Sequence, residues 1–178
     1  MTKILFFCIV LGFMLSCKED IQVRDGVYVS LRIHLTIEST DGIDLLNPNT
    51  PNGIREEYIG MFYEIDGKRE TYASTSNAIS LDNSKGFTLN APTISTQPID
   101  IFGNKYFLTI FSNGLVSSNS ITVLAVSGKD VITLRTEVLK TSGSTRIVKI
   151  WYKNVLVWPI AGNDGPAYVR IILAPQDL

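Results

Sequence analysis

Hydrophobic and polar residues alternate strictly along Val27–Glu38, which is the clearest pattern in the chain. Val, Leu or Ile occupies every second position from Val27 to Ile37, and polar residues or Tyr fill the positions between them. Successive side chains of a strand point to opposite sides of a sheet, so one face of this segment is apolar and the other polar. The pattern predicts one long, half-buried strand.

Further short segments with strand character follow, separated by Gly, Ser and Asn. The pairs Asp66-Gly67 and Lys153-Asn154 have the composition of two-residue hairpin turns. A helical turn is predicted only at Gly53–Tyr58. The predicted strands are Tyr58–Ile65, Lys68–Ala73, Phe87–Asn90, Lys105–Ser112, Ser120–Val126, Val131–Leu139, Thr145–Tyr152, Val155–Trp158 and Ala167–Ala174.

Many short strands with frequent turns are typical of an all-β fold. We predict an antiparallel β-sandwich of immunoglobulin-like architecture, with a partly closed β-barrel as the alternative. No internal repeat or linker divides residues 27–178, so this range is predicted to form a single domain.

The first residues have a different pattern. Lys3 precedes an apolar run of twelve residues, Ile4–Leu15, which is closed by Ser16-Cys17. A bilayer-spanning helix needs about twenty apolar residues. A positive residue, a short apolar run and a small residue before the cleavage point are instead typical of a secretory signal peptide, here residues 1–16.

The residues around Cys17 resemble the lipobox of bacterial lipoproteins, in which the new N-terminal Cys carries acyl chains such as palmitate. Met14 and Ser16 give a relaxed version, similar to lipoboxes of Bacteroidota. Lys18-Glu19-Asp20 resembles the signal that exports lipoproteins of that phylum to the outer face of the outer membrane. The resemblance implies lipid attachment at Cys17 and a tether, residues 17–26, that spans at most roughly 35 Å before Val27.

The leader and the all-β body together resemble the small surface lipoproteins of Bacteroidota. Two segments, Asp44–Pro51 and Tyr63–Lys68, are similar to members of that uncharacterised family. The resemblance implies a protein that is anchored by lipid to the outer membrane and faces the cell exterior. It implies no activity, and the fold alone would not supply one.

Charge and cysteine content exclude several classes of function. Removing 16 of the 178 residues leaves 162, with 15 basic and 17 acidic side chains. A basic run is lacking, so no nucleic-acid partner is predicted. Because Cys8 leaves with the leader and Cys17 is lipidated, the mature chain has no disulfide, thiol nucleophile or thiolate metal site. No cofactor is predicted.

The sequence favours a protein without catalytic residues. The single histidine, His34, lies on the polar face of the first strand, where a solvated side chain is the expected state. No nucleophile-elbow or zinc-protease motif accompanies it. Neighbouring carboxylates such as Glu56 and Glu57 point to opposite sides of an extended chain. Two distant carboxylates could still form a glycosidase site, which makes a polysaccharide hydrolase the third alternative.

The connection Ser39–Glu57 is rich in oxygen ligands. Asp41, Asp44, Asn47 and Asn49 could bind calcium, which prefers carboxylate and amide oxygens in loops. Their spacing does not fit an EF-hand, and Asp and Asn commonly cap turns through the backbone instead. We therefore predict no metal site, with calcium binding by these four residues as the alternative.

The hairpin Arg146–Trp158 holds both tryptophans. A two-residue turn at Lys153-Asn154 predicts one apolar face formed by Val148, Ile150, Tyr152, Val155 and Val157. The same register predicts a second face formed by Lys149, Trp151, Leu156 and Trp158. An open face of this kind could stack sugars or anchor a protein, whereas a face covered by a neighbouring loop would be a second small core.

The sequence as a whole predicts a non-enzymatic binding or assembly module. We expect attachment to the membrane through the N-terminal lipid and recognition of a glycan or an envelope protein. The alternative is a structural accessory subunit of an envelope complex.

Overall fold

The computed structural model describes residues 28–72, 85–92, 102–114, 119–159 and 167–178. The predicted leader, Cys17 and Lys18-Glu19-Asp20 lie outside these ranges. Short 3₁₀ helices cover Glu56–Tyr58 and Pro175–Asp177, and no helix of the described ranges is long and apolar enough for a membrane span. The strands are β1 (Tyr28–Ser30), β2 (Arg32–Ser39), β3 (Ile59–Ile65), β4 (Lys68–Thr71), β5 (Phe87–Asn90), β6 (Phe107–Phe111), β7 (Ser120–Val126), β8 (Lys129–Lys140), β9 (Ser144–Tyr152), β10 (Val155–Trp158) and β11 (Ala167–Leu173).

Two sheets pack against each other as a β-sandwich. The seven-stranded sheet has the order β1-β9-β8-β7-β3-β4, with β10 also paired to β9, and the four-stranded sheet has the order β11-β2-β6-β5. The predicted sandwich is confirmed, and the sheets do not close into a barrel. Two of the strand pairings are parallel, β1 with β9 and β2 with β11, so the sheets are mixed rather than antiparallel throughout.

The core lies between the sheets and takes alternate side chains from each. Ile33 and Ile171 of the four-stranded sheet, and Leu134 and Ile150 of the seven-stranded sheet, are fully buried. Burying one such side chain stabilises the fold by about 1.5–3 kcal/mol. The alternation in the sequence therefore becomes one continuous hydrophobic core.

Both predicted two-residue hairpin turns are confirmed. Asp66 and Gly67 have φ values of 51° and 72° and join Ile65 to its partner Lys68. Lys153 and Asn154 have φ values of 48° and 64°. Positive φ at both positions is the geometry of the type I′ turn, whose twist matches that of the flanking strands.

The long first strand was predicted wrongly, because the chain changes sheets at Leu31. β1 pairs with β9 in the seven-stranded sheet, whereas β2 pairs with β11 and β6 in the four-stranded sheet. Val29 is consequently 59% exposed although Ile33 is fully buried. The chain is extended on both sides of Leu31, so hydrophobic and polar residues keep alternating there. The sequence pattern therefore does not show where the chain passes from one sheet to the other.

The other strands agree with their predicted bounds to within two residues wherever the structure describes both ends. The predicted helical turn at Gly53–Tyr58 corresponds to the 3₁₀ helix Glu56–Tyr58. The predicted strand end at Ala73 falls outside the described residues.

Candidate functional site

A row of four directly paired residues crosses the outer face of the seven-stranded sheet. Ile121 of β7 is opposite Arg135 of β8, Arg135 is opposite Trp151 of β9, and Trp151 is opposite Leu156 of β10. Direct cross-strand neighbours have Cβ atoms about 5 Å apart, so their side chains contact one another. The row places a cation and an indole at the centre of an otherwise apolar strip.

The Arg135 guanidinium stacks on the Trp151 ring. Its central carbon lies 3.9 Å from the ring centroid, and its Nη1 donates a 3.2 Å hydrogen bond to Asn119 Oδ1. A second cation, Lys149, is 5.9 Å from the same ring and pairs with Glu137 at 3.1 Å. Stacking of this kind contributes about 0.5–1 kcal/mol at an exposed site and fixes the orientation of the guanidinium.

A groove of about 300 Å³ opens beside this stack. That volume is at the lower end of the range for small-ligand sites. Lys153 and Asn154 of the hairpin turn are among its lining residues, and Lys153 Nζ lies 3.7 Å from Asp177 Oδ2. The lining residues are Ile121, Val131, Thr133, Arg135, Trp151, Tyr152, Lys153 and Asn154.

The predicted face with both tryptophans was wrong for Trp158. A β-bulge after Leu156 pairs Trp158 with Ile150 instead of Lys149, and a shift of one residue turns a side chain to the opposite face. Trp158 is only 8% exposed and packs in the core, where its Nε1 has no hydrogen-bond partner among the described residues. Lys149, Trp151 and Leu156 remain accessible on or beside the outer face.

The predicted core face of the same hairpin is also only partly formed. Ile150 is fully buried, but Val155 is 63% exposed beside the turn. Val148, Tyr152 and Val157 are half-buried.

The oxygen-rich connection Ser39–Glu57 directs side chains to its own backbone and to a neighbouring strand. Asp44 accepts hydrogen bonds from Leu46 N at 3.0 Å and from Tyr106 N at 2.8 Å, and Asn47 accepts one from Asn49 N at 2.9 Å. The bonds from Leu46 N and Asn49 N are the local backbone caps that Asp and Asn commonly provide in turns, and the bond from Tyr106 N holds the connection against the segment before β6. Among the described residues, no group of three or more His, Cys, Asp or Glu side chains is arranged to hold a metal.

The prediction of a solvated His34 was wrong. Its ring lies edge-on to Phe102 and Phe107, with centroids 5.7 and 5.6 Å away, and its Nδ1 lies 3.0 Å from Thr109 Oγ1. Burial, and secondarily the charge of Arg32, lowers the pKa of His34 below its ordinary value. Because Phe102 is remote from His34 in the chain, the sequence pattern could not predict this contact.

Glu38 lies four residues after His34 on β2. The alternation along this strand predicted an exposed Glu38, but the structure buries its carboxylate. Arg170 donates two hydrogen bonds to it, and Lys105 forms a second ion pair with it. Burial alone would raise the pKa of Glu38, but hydrogen bonds and charge from Arg170 and Lys105 outweigh burial and lower it. A carboxylate held ionised by two cations is suited to structural pairing rather than to proton donation.

Sequence reasoning identified Trp151 but missed Arg135. Extending the register from the turn before β9 would place Leu134 opposite Trp151, but a β-bulge at Val148 shifts the pairing by one residue. One pattern in the sequence could have indicated Arg135. Thr133, Arg135 and Glu137 occupy alternate positions along β8 and therefore share one face of the sheet.

A comparison of the chain with protein-family models, curated proteins and solved structures found no match.

Proposed function

We propose that the protein is a lipid-anchored, non-enzymatic binding module of the outer membrane surface and that the groove beside Trp151 is its glycan-binding site. The observation that carries the proposal is a half-buried indole that lines an open groove of ligand size on a sheet face. Sugar rings pack their apolar faces on aromatic side chains, and tryptophan offers the largest such surface.

The composition of the groove favours binding over catalysis. Thr133, Asn154 and Tyr152 supply neutral polar groups among its lining residues, together with two cations. The lining residues that the structure describes include neither a carboxylate nor a histidine, the side chains that most often act as general acid or base.

The direction of the strands supports an outward-facing groove. Tyr28 enters the fold opposite Ser144, and β1 runs parallel to β9. Trp151 is seven residues further along β9, a distance of about 23 Å at 3.3 Å per residue. With the lipid on Cys17, the groove lies towards the end of the sheet that is remote from the anchored segment.

The second candidate is an accessory subunit that contacts an envelope protein through β1 and β10. It is favoured by three apolar side chains with large exposure on these strands, Val29 at 59%, Val155 at 63% and Leu156 at 49%. Clusters of exposed apolar side chains often mark protein contacts.

A glycan array distinguishes the two candidates. We expect the full-length protein in detergent to bind one class of glycan and Trp151→Ala to weaken that binding by at least about tenfold. Leu139→Ala is the matched control, because Leu139 is also exposed but is not among the residues that line the groove. Equal glycan binding by the Trp151→Ala protein would overturn the groove. The second candidate would be favoured if the protein bound no glycan but captured one envelope protein, and if the double substitution Val155→Ser and Leu156→Ser abolished that capture.

A further inference from the structure

The charged residues that line the groove, within the described part of the chain, are both cations, Arg135 and Lys153. Asp177 approaches Lys153 at 3.7 Å. No carboxylate among the described residues pairs with Arg135, whose Nη1 donates a hydrogen bond to the neutral amide oxygen of Asn119.

A second stack on the same sheet gives an internal comparison. Arg69 lies 3.9 Å from the centroid of the Phe62 ring, the same distance as in the Arg135–Trp151 pair. Arg69 nevertheless has a carboxylate partner, because its Nη2 donates a 2.7 Å hydrogen bond to Asp130 Oδ1. The two sites therefore differ in their counter-ion: Asp130 pairs with Arg69, whereas none of the carboxylates that the structure describes pairs with Arg135.

The Arg135 guanidinium is held in place before any ligand arrives. The indole fixes its plane and the Asn119 amide fixes one of its nitrogens. A planar guanidinium can bind carboxylate or sulfate oxygens through two parallel hydrogen bonds. Because the side chain is already ordered, binding costs less conformational entropy than it would for a free arginine.

The position of the groove selects among anionic ligands. It lies on the face of β7, β8 and β9, whereas an extended peptide would need an unpaired strand edge for its main-chain hydrogen bonds. Its volume of about 300 Å³ suits one ring-sized group. We infer that the groove binds an acidic saccharide, whose carboxylate or sulfate pairs with Arg135 while the sugar ring packs against Trp151. This inference rests on the proposed glycan-binding function.

Matched oligosaccharide probes test the inference. The probes are an oligogalacturonate, its methyl ester, a neutral galactan oligosaccharide of equal length and a sulfated form of that galactan, each titrated calorimetrically into the full-length protein in detergent. We expect the carboxylated or the sulfated probe to bind, with its uncharged counterpart at least about tenfold weaker. The carboxylate and sulfate pairs separate the two sources of charge.

Three variants complete the test. Arg135→Gln should weaken binding of the charged probe at least about tenfold and leave the uncharged counterpart unchanged, whereas Arg135→Lys should recover part of the loss. Arg146→Gln removes an exposed cation from the same sheet and should change the affinity by less than about twofold. Thermal unfolding of each variant checks that the fold is retained.

The outcomes separate the inference from the function on which it rests. Equal affinity for charged and uncharged probes, with loss on Trp151→Ala, would overturn the acidic ligand and leave glycan binding intact. Binding of an oligoglutamate peptide through Arg135 without saccharide binding would overturn the saccharide. Failure of every saccharide probe and of the glycan array would overturn both proposals.

Discussion

Glu38 and Arg170 are joined by two hydrogen bonds across the parallel strands β2 and β11. Arg170 Nε donates to Oε1 at 2.8 Å and Nη2 donates to Oε2 at 2.7 Å. The carboxylate side chain is only 2% exposed, whereas the guanidinium side chain is 54% exposed. The anion is therefore enclosed by the protein while its partner stays in contact with water.

Replacement of this carboxylate should destabilise the fold in a pH-dependent way. Glu38→Gln should lower the free energy of unfolding by about 2 kcal/mol at neutral pH, since charge-assisted hydrogen bonds are lost. The folded pKa of Glu38 lies below its ordinary value of 4.5. The stabilisation is therefore fully present above 4.5 and is lost as the pH falls through the folded pKa. Urea unfolding at several pH values measures the difference.

The matched control for this prediction is Glu64→Gln. Glu64 is exposed on β3 and should change the free energy of unfolding by less than about 0.5 kcal/mol at any pH. A Glu38→Gln protein whose deficit stayed constant from neutral to acid pH would contradict the role of the ion pair.

His34 should make stability depend on pH in a higher range. Its folded pKa lies below its ordinary value of 6.5, so the unfolded chain binds the proton more readily. Stability is thus lost as the pH falls below 6.5 through the folded pKa. We expect His34→Gln to flatten the pH dependence of the urea midpoint between about pH 7.5 and 5. If His34→Gln left the pH dependence of the urea midpoint unchanged, groups other than His34 would be its cause.

The two tryptophans should behave differently when they are removed. Trp158→Ala should cost about 4 kcal/mol because a large side chain leaves the core. Trp151→Ala should cost about 1 kcal/mol, since it removes an outer-face stack. Two further variants, Trp151→Phe and Trp158→Phe, each leave a single tryptophan. Acrylamide should quench the fluorescence of Trp151 more strongly than that of Trp158. Similar quenching of both would argue against the bulge in β10.

We propose that acyl chains on Cys17 anchor the protein, so Cys17→Ala should release it from membranes. The measurement is the share of protein in the membrane pellet after cell lysis. Cys8→Ala is the control, since Cys8 is predicted to leave with the leader, and it should stay in the pellet. A Cys17→Ala protein that sediments with membranes would contradict lipid attachment.

Replacement of Lys18-Glu19-Asp20 by alanines should keep the protein in membranes but protect it from protease added to intact cells. The paired change of Arg24 and Asp25 to alanine alters charge in the same tether and should leave protease cleavage unchanged. Continued cleavage of the triple variant would remove the role assigned to the trio.

Local sequence patterns predicted the strands and the hairpin turns because both depend on near neighbours. Period-2 alternation follows from the pleat of each strand. Asp66, Gly67 and Asn154 are residue types that tolerate positive φ, so their positions between two apolar segments indicated the turns.

The site was harder to predict because it depends on register and on distant contacts. The bulge at Val148 sets Arg135 opposite Trp151, and the bulge in β10 turns Trp158 into the core. Each bulge adds one residue without a marked change in composition. Burial of Glu38 likewise depends on Lys105 and Arg170, which are remote in sequence.

The crossing at Leu31 has a mechanical consequence. β1 runs parallel to β9, and β2 runs parallel to β11, so residues 28–39 are hydrogen-bonded into both sheets. With the lipid at Cys17 and a ligand at Trp151, tension between membrane and ligand would act along β1 and β9 in opposite directions. Their hydrogen bonds would then be loaded in shear and would have to fail together rather than open one by one. The strand that enters from the tether would thus resist the pull of a bound cell or polymer.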